Sequence, residues 1–497
     1  MATINKILIA NRGEIAVRII RTCKSLGIST VAVYSRPDKT SPHVLLADDS
    51  VFIGEAASSD SYLNIDKILD AAKASGADAI HPGYGFLSEN AAFAQRCSNE
   101  GIIFLGPSVE AIRVMGDKTE ARKLMEKAGV PLPPGTTTAL KSVQEAVETA
   151  NSIGYPVLIK AAAGGGGKGM RIVYDEATIQ EATRAAQSEA KNAFGDERVY
   201  VEKYLEEPRH IEVQIIADQH GNIRHLFDRE CSIQRRHQKV VEEAPSPFLD
   251  DLMRDEITKT AVEVARACDY VGAGTVEFLA DKHRNFYFLE MNTRLQVEHP
   301  VTELVTGVDL VELQIRVASG EKLGFDQDDV KLIGHAVECR ICAEDPEEQF
   351  LPSTGIITRH DLPAGPGVRV DAGVRTGQEI TIDYDPLMAK LVVHAENRAK
   401  ALERMYDALS NYRISGLRTT ISFCKFVMKH PSFTQGVYNT HFIKEHYSTD
   451  KSGSGDEFAA LAGIIYFNKT GASSDRADSN GEQNQPQLTN WWTKRRQ

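Results

Sequence analysis

Short apolar runs and amphipathic stretches alternate along the first quarter of the chain. KILI is followed by a turn, then by GEIAVRIIRTCKSL with apolar residues three and four apart, then by the Val-rich run STVAVYS. The change from period 2 to period 3.6 and back predicts a strand, a helix and a strand, the βαβ unit of a doubly wound parallel sheet. A further strand-like run, DAIHPGYGFLSEN, ends in a loop with two glycines, and GIIFLGPS supplies another strand. Residues 1–117 therefore read as a Rossmann-like domain. Only Gly13 stands where a dinucleotide fingerprint needs three glycines, so this domain need not bind a dinucleotide.

After the helical stretch GDKTEARKLMEKAGV, the stiff segment PLPPG marks a break. A compact insert over about 135–203 follows, within an α/β region 118–330, and residues 331–447 are rich in short strands and turns. The fold class is α/β with an α+β C-terminal part. From 448 the pattern changes to a linker, STDKSGSGDE, a short apolar run, FAALAGIIYF, and a polar stretch that reads as disordered. That apolar run is too short to span a bilayer and reads as a docking or packing segment.

Composition narrows the classes. Across 497 residues the net charge is -12, and apart from Lys494, Arg495 and Arg496 there is no basic block, which excludes a general nucleic-acid binder. The start MATINKILIANRGE lacks the apolar core of a signal peptide, no stretch approaches the ~20 residues of a membrane span, and a cytoplasmic location is expected. Seven cysteines, an odd number, suit a reducing compartment. Cys339 and Cys342 match CxxC, but no second pair completes a zinc site, and an alternating strand would point them to opposite faces.

Candidate chemistry begins at KAAAGGGGKGMR. A P-loop needs Ser or Thr after the lysine, and Lys168 is followed by Gly169. Gly164, Gly166 and Gly169 match a dinucleotide pattern formally, yet MRIVYD reads as a strand where a helix is required. Strand, glycine turn and strand make a hairpin, either a cover over nucleotide phosphates or a loose surface loop. Lys160 before the loop and Lys118 at a helix start supply cations, and Glu202, Lys203, Tyr204 and Leu205 form a strand-like segment able to pair with an adenine edge through its backbone.

TVEFLADKHRNFYFLEMNTRLQVEHP carries the strongest constellation. It reads as two strands, about 275–280 and 287–292, and a turn centred between His283 and Arg284 sets Glu277 opposite Glu290. Opposed like charges are destabilising, and a divalent cation with Asn292 alongside relieves them; Mg²⁺ suits such hard oxygen ligands. Phe286 and Phe288 share parity with Glu290, so that face is expected to point inward. While the chain stays extended, Glu290, Asn292, Arg294, Gln296 and Glu298 lie along one face at roughly 6.6 to 6.8 Å spacing. Upstream, RECSIQRRHQKVVEEAP adds His237 and Lys239.

Over about residues 3–447 the sequence resembles biotin carboxylase, an ATP-grasp family, through ANRGEIAVRI, HPGYGFLSEN, MGDK, GGGGKGM, EKYLEEPRHIE, QRRHQKVVEEAP, EMNTRLQVEHPVTE, HAVECRICAED and YDPLMAKL. The resemblance implies ATP gripped under a glycine-loop lid by Lys118, Lys160, Gly166, Gly167, Glu202, Lys203, Tyr204, Leu205, His210 and His237. It implies two Mg²⁺ or Mn²⁺ ions on Glu277, Glu290 and Asn292, bicarbonate on Lys239, Arg294, Gln296 and Val297, Glu298 as base, and Arg340 steadying the biotin enolate. It also implies carboxyphosphate as intermediate and biotin as substrate on a carrier protein. Ala163 and Lys168 depart from a fifth glycine and an arginine found in some members, which leaves the loop function intact.

No Met-Lys-Met biotinylation site is present, Val427-Met428-Lys429-His430 being the nearest, so a biotin carboxyl carrier protein and a carboxyltransferase subunit, both on other chains, are expected. A homodimer or larger assembly is expected, without nucleic acid or membrane. The acceptor, whether acetyl-CoA, propionyl-CoA, methylcrotonyl-CoA or pyruvate, stays open. Two alternatives remain: another ATP-grasp ligase, such as a carbamoyl phosphate synthetase-like unit, which leaves HAVECRICAED and YDPLMAKL unexplained, and a regulatory nucleotide-binding subunit, which would be expected to lack one of Glu277, Glu290, Arg294 or Glu298.

Overall fold

The N-terminal apolar runs form a five-stranded parallel sheet, ordered Asp49–Gly54, Ser29–Ser35, Lys6–Ile9, Ala79–His81, Ile103–Phe104. Ile7, Leu8 and Ile9 are all buried, as a strand covered on both faces by helices requires. The order turns back between Lys6–Ile9 and Ala79–His81, and crevices of such sheets open at that switch point. Asn11 Nδ2 bridges it, donating to Pro82 O at 2.7 Å and Tyr84 O at 2.8 Å, and so fixes the HPGYG loop.

The chain is described here, from a computed structural model, over residues 3–163 and 169–448. Residues 1–447 form one compact unit and 448–497 a second; the FAALAGIIYF run lies outside the described residues. No described helix is long and apolar enough to cross a membrane. Helix Lys118–Lys127 starts at an Asp117 cap whose side chain accepts the N–H groups of Thr119 and Glu120, which places Lys118 at its first position.

Strands Arg171–Val173, Val157–Ala161 and Val199–Lys203 make a small antiparallel sheet. Its apolar positions pack under helices Val143–Ile153 and Ile179–Phe194. A strand does follow the glycine run, Val157 pairing with Val173, as the hairpin reading requires. Gly166 and Gly167 themselves lie outside the described residues.

Eight antiparallel strands form the central sheet, in the order Phe286–Asn292, Gly272–Ala280, Arg209–Ala217, Ile223–Arg235, Gln238–Ala244, His335–Cys342, Leu387–Ala395, Val368–Ala372. The sheet runs without a break across residue 330, because Gln238–Ala244 pairs with His335–Cys342. One face at the Phe286 end is apolar: Ile211, Val213, Val276, Phe278 and Phe288 pack with helix Asp251–Ala267. Cys339 is buried in the C-terminal core with Cys424, Cys342 is only partly buried, and neither joins a metal-competent cluster among the described residues.

Candidate active site

Strand register builds the other face. Glu212 lies between Arg229 and Glu277, Gln214 is opposite Thr275, and Glu277 is opposite Glu290, the expected pairing reached through a turn centred on His283 and one extra residue. Two bulges then re-aim side chains, a recurrent device beside active sites. In the first, Glu277 opposes Glu290 but Phe278 opposes Phe288, so Leu289 is extra. That overturns the expected parity. Phe286 and Phe288 turn to the apolar side, edge to face with Phe278, and Glu290 opens toward solvent with 37% of its side chain exposed. In the second, Gln234 opposes Lys239 but Ile233 opposes Val241, which rolls Lys239 onto the charged face.

The extended line expected beyond Asn292 does not exist, because the strand ends there and Glu298 caps helix His299–Thr306. Folding back, not alternation, gathers these residues. Arg294 donates Nη2 to Asn292 Oδ1 at 3.0 Å and Nη1 to Gln296 Oε1 at 3.2 Å, and Gln296 Nε2 is 3.4 Å from Glu277 Oε1. Lys390 Nζ holds the Val297 carbonyl at 2.8 Å. Glu298, fully buried, takes Lys239 Nζ on Oε1 at 2.6 Å and Arg340 Nη2 on Oε2 at 2.9 Å.

Lys239 is the hub of this cluster. Its ammonium also contacts Glu212 Oε2 at 2.5 Å and Glu277 Oε1 at 2.7 Å. Burial opposes its charge, but Glu212, Glu277 and Glu298 outweigh burial and hold its pKa well above the ordinary value. By the same balance burial favours a neutral Glu298, while Lys239, Arg340 and Arg229 hold it ionised, well below the carboxylate range. Glu277 is depressed too, against burial, by Lys239 and by His210, whose Nε2 lies 3.0 Å away.

A cleft of about 770 Å³ opens over this face. Lys118, Lys160, His210, His237, Glu290, Asn292, Arg294, Gln296, Val297 and Arg340 all line it. Leu158, Met170, Ile172, Leu279 and Leu289 give the cleft an apolar wall, and Glu202, Lys203, Tyr204 and Leu205 also line it. Glu202 serves through its backbone at most: its carboxylate is used by Lys160 at 2.9 Å and Arg122 at 2.9 Å, so it positions Lys160. Lys203 Nζ is likewise spent on Gly154 O and Tyr155 O, and Tyr204 Oη lies 3.4 Å from His441. His237, with Arg236, occupies a two-residue hairpin turn at positive φ, a strained placement that puts it at the rim.

Sequence reasoning missed several members. Glu89 takes Arg294 Nε at 2.7 Å from 205 residues away, and no local signal announces such a pair. Glu212 and Gln214 had one, since they alternate with Ile211 and Val213 in step with His210. Glu242, which accepts Arg340 Nε at 2.6 Å, and Lys390 are visible only through register.

Family models match in three consecutive parts: the biotin carboxylase N-terminal domain over residues 3–112, the carbamoyl-phosphate synthase L chain ATP-binding domain over 117–325, and the biotin carboxylase C-terminal domain over 338–445. The protein belongs to the biotin carboxylase family. The middle part alone would have suited the carbamoyl phosphate synthetase-like alternative, and the flanking parts exclude it. Biotin carboxylase of Nostoc sp. is 55% identical over 441 residues, 89% of this chain and 99% of the relative. The alpha chain of propionyl-CoA carboxylase from Ruegeria pomeroyi is 52% identical over 463 residues, 89% of this chain and 68% of the relative. Among solved structures, the dimeric biotin carboxylase domain of Hydrogenobacter thermophilus 2-oxoglutarate carboxylase, with MgADP, ADP and bicarbonate, superposes with a TM-score of 0.87 at 48% identity, covering 90% of this chain and 99% of that one. As a family member the protein is an ATP-dependent ligase that carboxylates biotin with bicarbonate.

Proposed function

We propose that the cleft divides this reaction along its length. The base of ATP lies against Glu202–Leu205 and the apolar wall, with Lys118, Lys160, His210, His237 and the loop glycines Gly166 and Gly167 about the nucleotide. Glu277, Glu290 and Asn292 would hold two Mg²⁺ or Mn²⁺ ions: two opposed carboxylates beside a carboxamide fit a hard cation, and among the described residues only Lys118, at 3.8 Å, pairs with Glu290. When bound, the metals neutralise charge on the phosphate oxygens.

Lys239, Arg294, Gln296 and Val297 orient bicarbonate, and Glu298, kept ionised by Lys239 and Arg340, accepts its proton. A bicarbonate oxygen then attacks the γ-phosphorus while the bond to ADP breaks, giving carboxyphosphate; this splits to CO₂ and phosphate. Arg340 donates to the ureido oxygen of biotin while the phosphate set free from carboxyphosphate takes the proton of the ring nitrogen, which then bonds to CO₂. Biotin arrives on a carrier protein, and a carboxyltransferase component consumes carboxybiotin.

The observation that carries this reading is the convergence of Lys239 and Arg340, which both line the cleft, on the buried carboxylate of Glu298, with an apolar wall and the lysines Lys118 and Lys160 in the same cleft. ATP cleavage by the full chain is expected to require bicarbonate and to rise with free biotin. Turnover indifferent to both refutes the reading.

A further inference from the structure

Behind Arg340 sits a pair of acids that the reaction above does not use. Glu242 and Glu338 are directly opposed across neighbouring strands, which brings their Cβ atoms within about 4.5–5.5 Å. Both are fully buried. Glu242 Oε1 accepts Arg340 Nε at 2.6 Å, but among the described residues its Oε2 and both oxygens of Glu338 have no hydrogen-bond partner. Buried polar oxygens of native proteins are paired, so three orphans on one pair of opposed residues call for an explanation.

The charges around the pair rule out two bare carboxylates. Arg340 is shared between Glu242 and Glu298, and Lys239 is committed to Glu212, Glu277 and Glu298. From the strand Leu387–Ala395, Lys390 spends its ammonium on the Val297 carbonyl and on Glu14, 3.1 Å away. Helix His299–Thr306 covers this face with Val301 and Val305, and its His299 is kept neutral by burial. Lys390 and Arg340 act on Glu338 by charge alone, and among the described residues Glu338 has no ion-pair or hydrogen-bond partner. Like charges this close and this dry do not both ionise, and one carries a proton.

We infer that Glu242 and Glu338 share a single proton and act together as positioning residues for Arg340: the neutral carboxyl donates to the charged one, and the singly charged pair holds the guanidinium. This rests on the reading of Arg340 and Glu298 given above. The arrangement fixes Arg340 Nε on the side away from the cleft and leaves the rest of the guanidinium for Glu298 and the ureido oxygen. It also keeps a second full negative charge away from Glu298, which must accept a proton and release it. Burial pushes Glu242 up to about 7, Arg340 opposing, and drives Glu338 well above the carboxylate range, Lys390 opposing.

Infrared difference spectra and steady-state kinetics of the full chain test this together. A buried protonated-carboxyl band at pH 7 is expected in the wild type and is lost in both Glu242→Gln and Glu338→Gln. Kinetically, Glu242→Gln is expected to lower kcat/KM for free biotin by about tenfold to a hundredfold with the KM for ATP unmoved, and Glu338→Gln to remove an alkaline limb from the pH profile of biotin carboxylation. Absence of the band, a band undiminished in both variants, or equal losses in the ATP and biotin parameters overturns the proposal; Glu14 and Glu230, also buried and shifted upward, account for any band common to all three proteins. A wild type indifferent to biotin refutes the functional reading instead, and the band still decides whether the proton is shared.

Discussion

Glu242 and Glu243 are consecutive, equally buried, and opposite in behaviour. Glu243 faces His335 Nε2 at 2.6 Å, Arg398 Nε at 2.7 Å and the Tyr438 hydroxyl at 2.5 Å. Burial alone would raise its pKa, but these partners, His335 first, bring it down to about 2. Glu242 has Arg340, shared with Glu298, and acidic neighbours, and burial lifts it to about 7. Burial imposes the same cost on both; the partners on each face decide the sign. Glu243 clamps the C-terminal region to the sheet, whereas Glu242 belongs to a face kept electrostatically tense for chemistry.

Breaking each face separately separates the two roles. The largest effect is expected on the charged face: if Glu298 is the proposed proton acceptor, Glu298→Gln should cut biotin-dependent turnover by about 10²–10⁴-fold, read by steady-state ADP release. On the other side, Glu243→Ala leaves buried His335 and half-buried Arg398 without the carboxylate they share and should cost about 3 kcal/mol in denaturant unfolding, with turnover per folded molecule nearly kept. A change in turnover there larger than the change in stability would dissolve the contrast.

Acid sharpens the same comparison. Because the folded pKa of Glu243 lies below its ordinary value of 4.5, its contribution is present above about pH 4.5 and is lost as pH falls toward 2. On the order of 3 kcal/mol of stability should disappear over that window in the wild type. In Glu243→Gln that acid-dependent loss should be missing. The smallest effect belongs to the nucleotide end: Glu202→Gln frees Lys160 from its anchor and should raise the KM for ATP about tenfold with kcat little changed. A kcat loss exceeding the KM change would place Glu202 in the chemistry.

Local pattern marked the glycine run and the opposed acids, and the roles came with the family resemblance. The strand after the glycine run excluded a dinucleotide loop. Glu277 does oppose Glu290, but by way of the extra Leu289: Ala280 pairs with Phe286, so the turn is centred on His283 and not between His283 and Arg284. Alternation also misled where a single residue was inserted. Leu289 and the extra residue Val240 reverse parity, so Phe288 faces the core and Lys239 the site, against a simple period of two. An inserted residue costs nothing visible in sequence, because only the partner strand reveals it.

Strand and helix periods were enough to place the parallel N-terminal sheet and the strands on either side of the glycine run, while the family resemblance supplied the chemistry. Which charges meet was settled by the assembled fold. Glu89 reaches Arg294, Glu242 meets Glu338 and Arg340, and Lys390 supports Val297 only once distant strands are in register. Backbone preference acts over a few residues, whereas the state of a buried charge is set by whatever neighbours the fold leaves within a few ångströms.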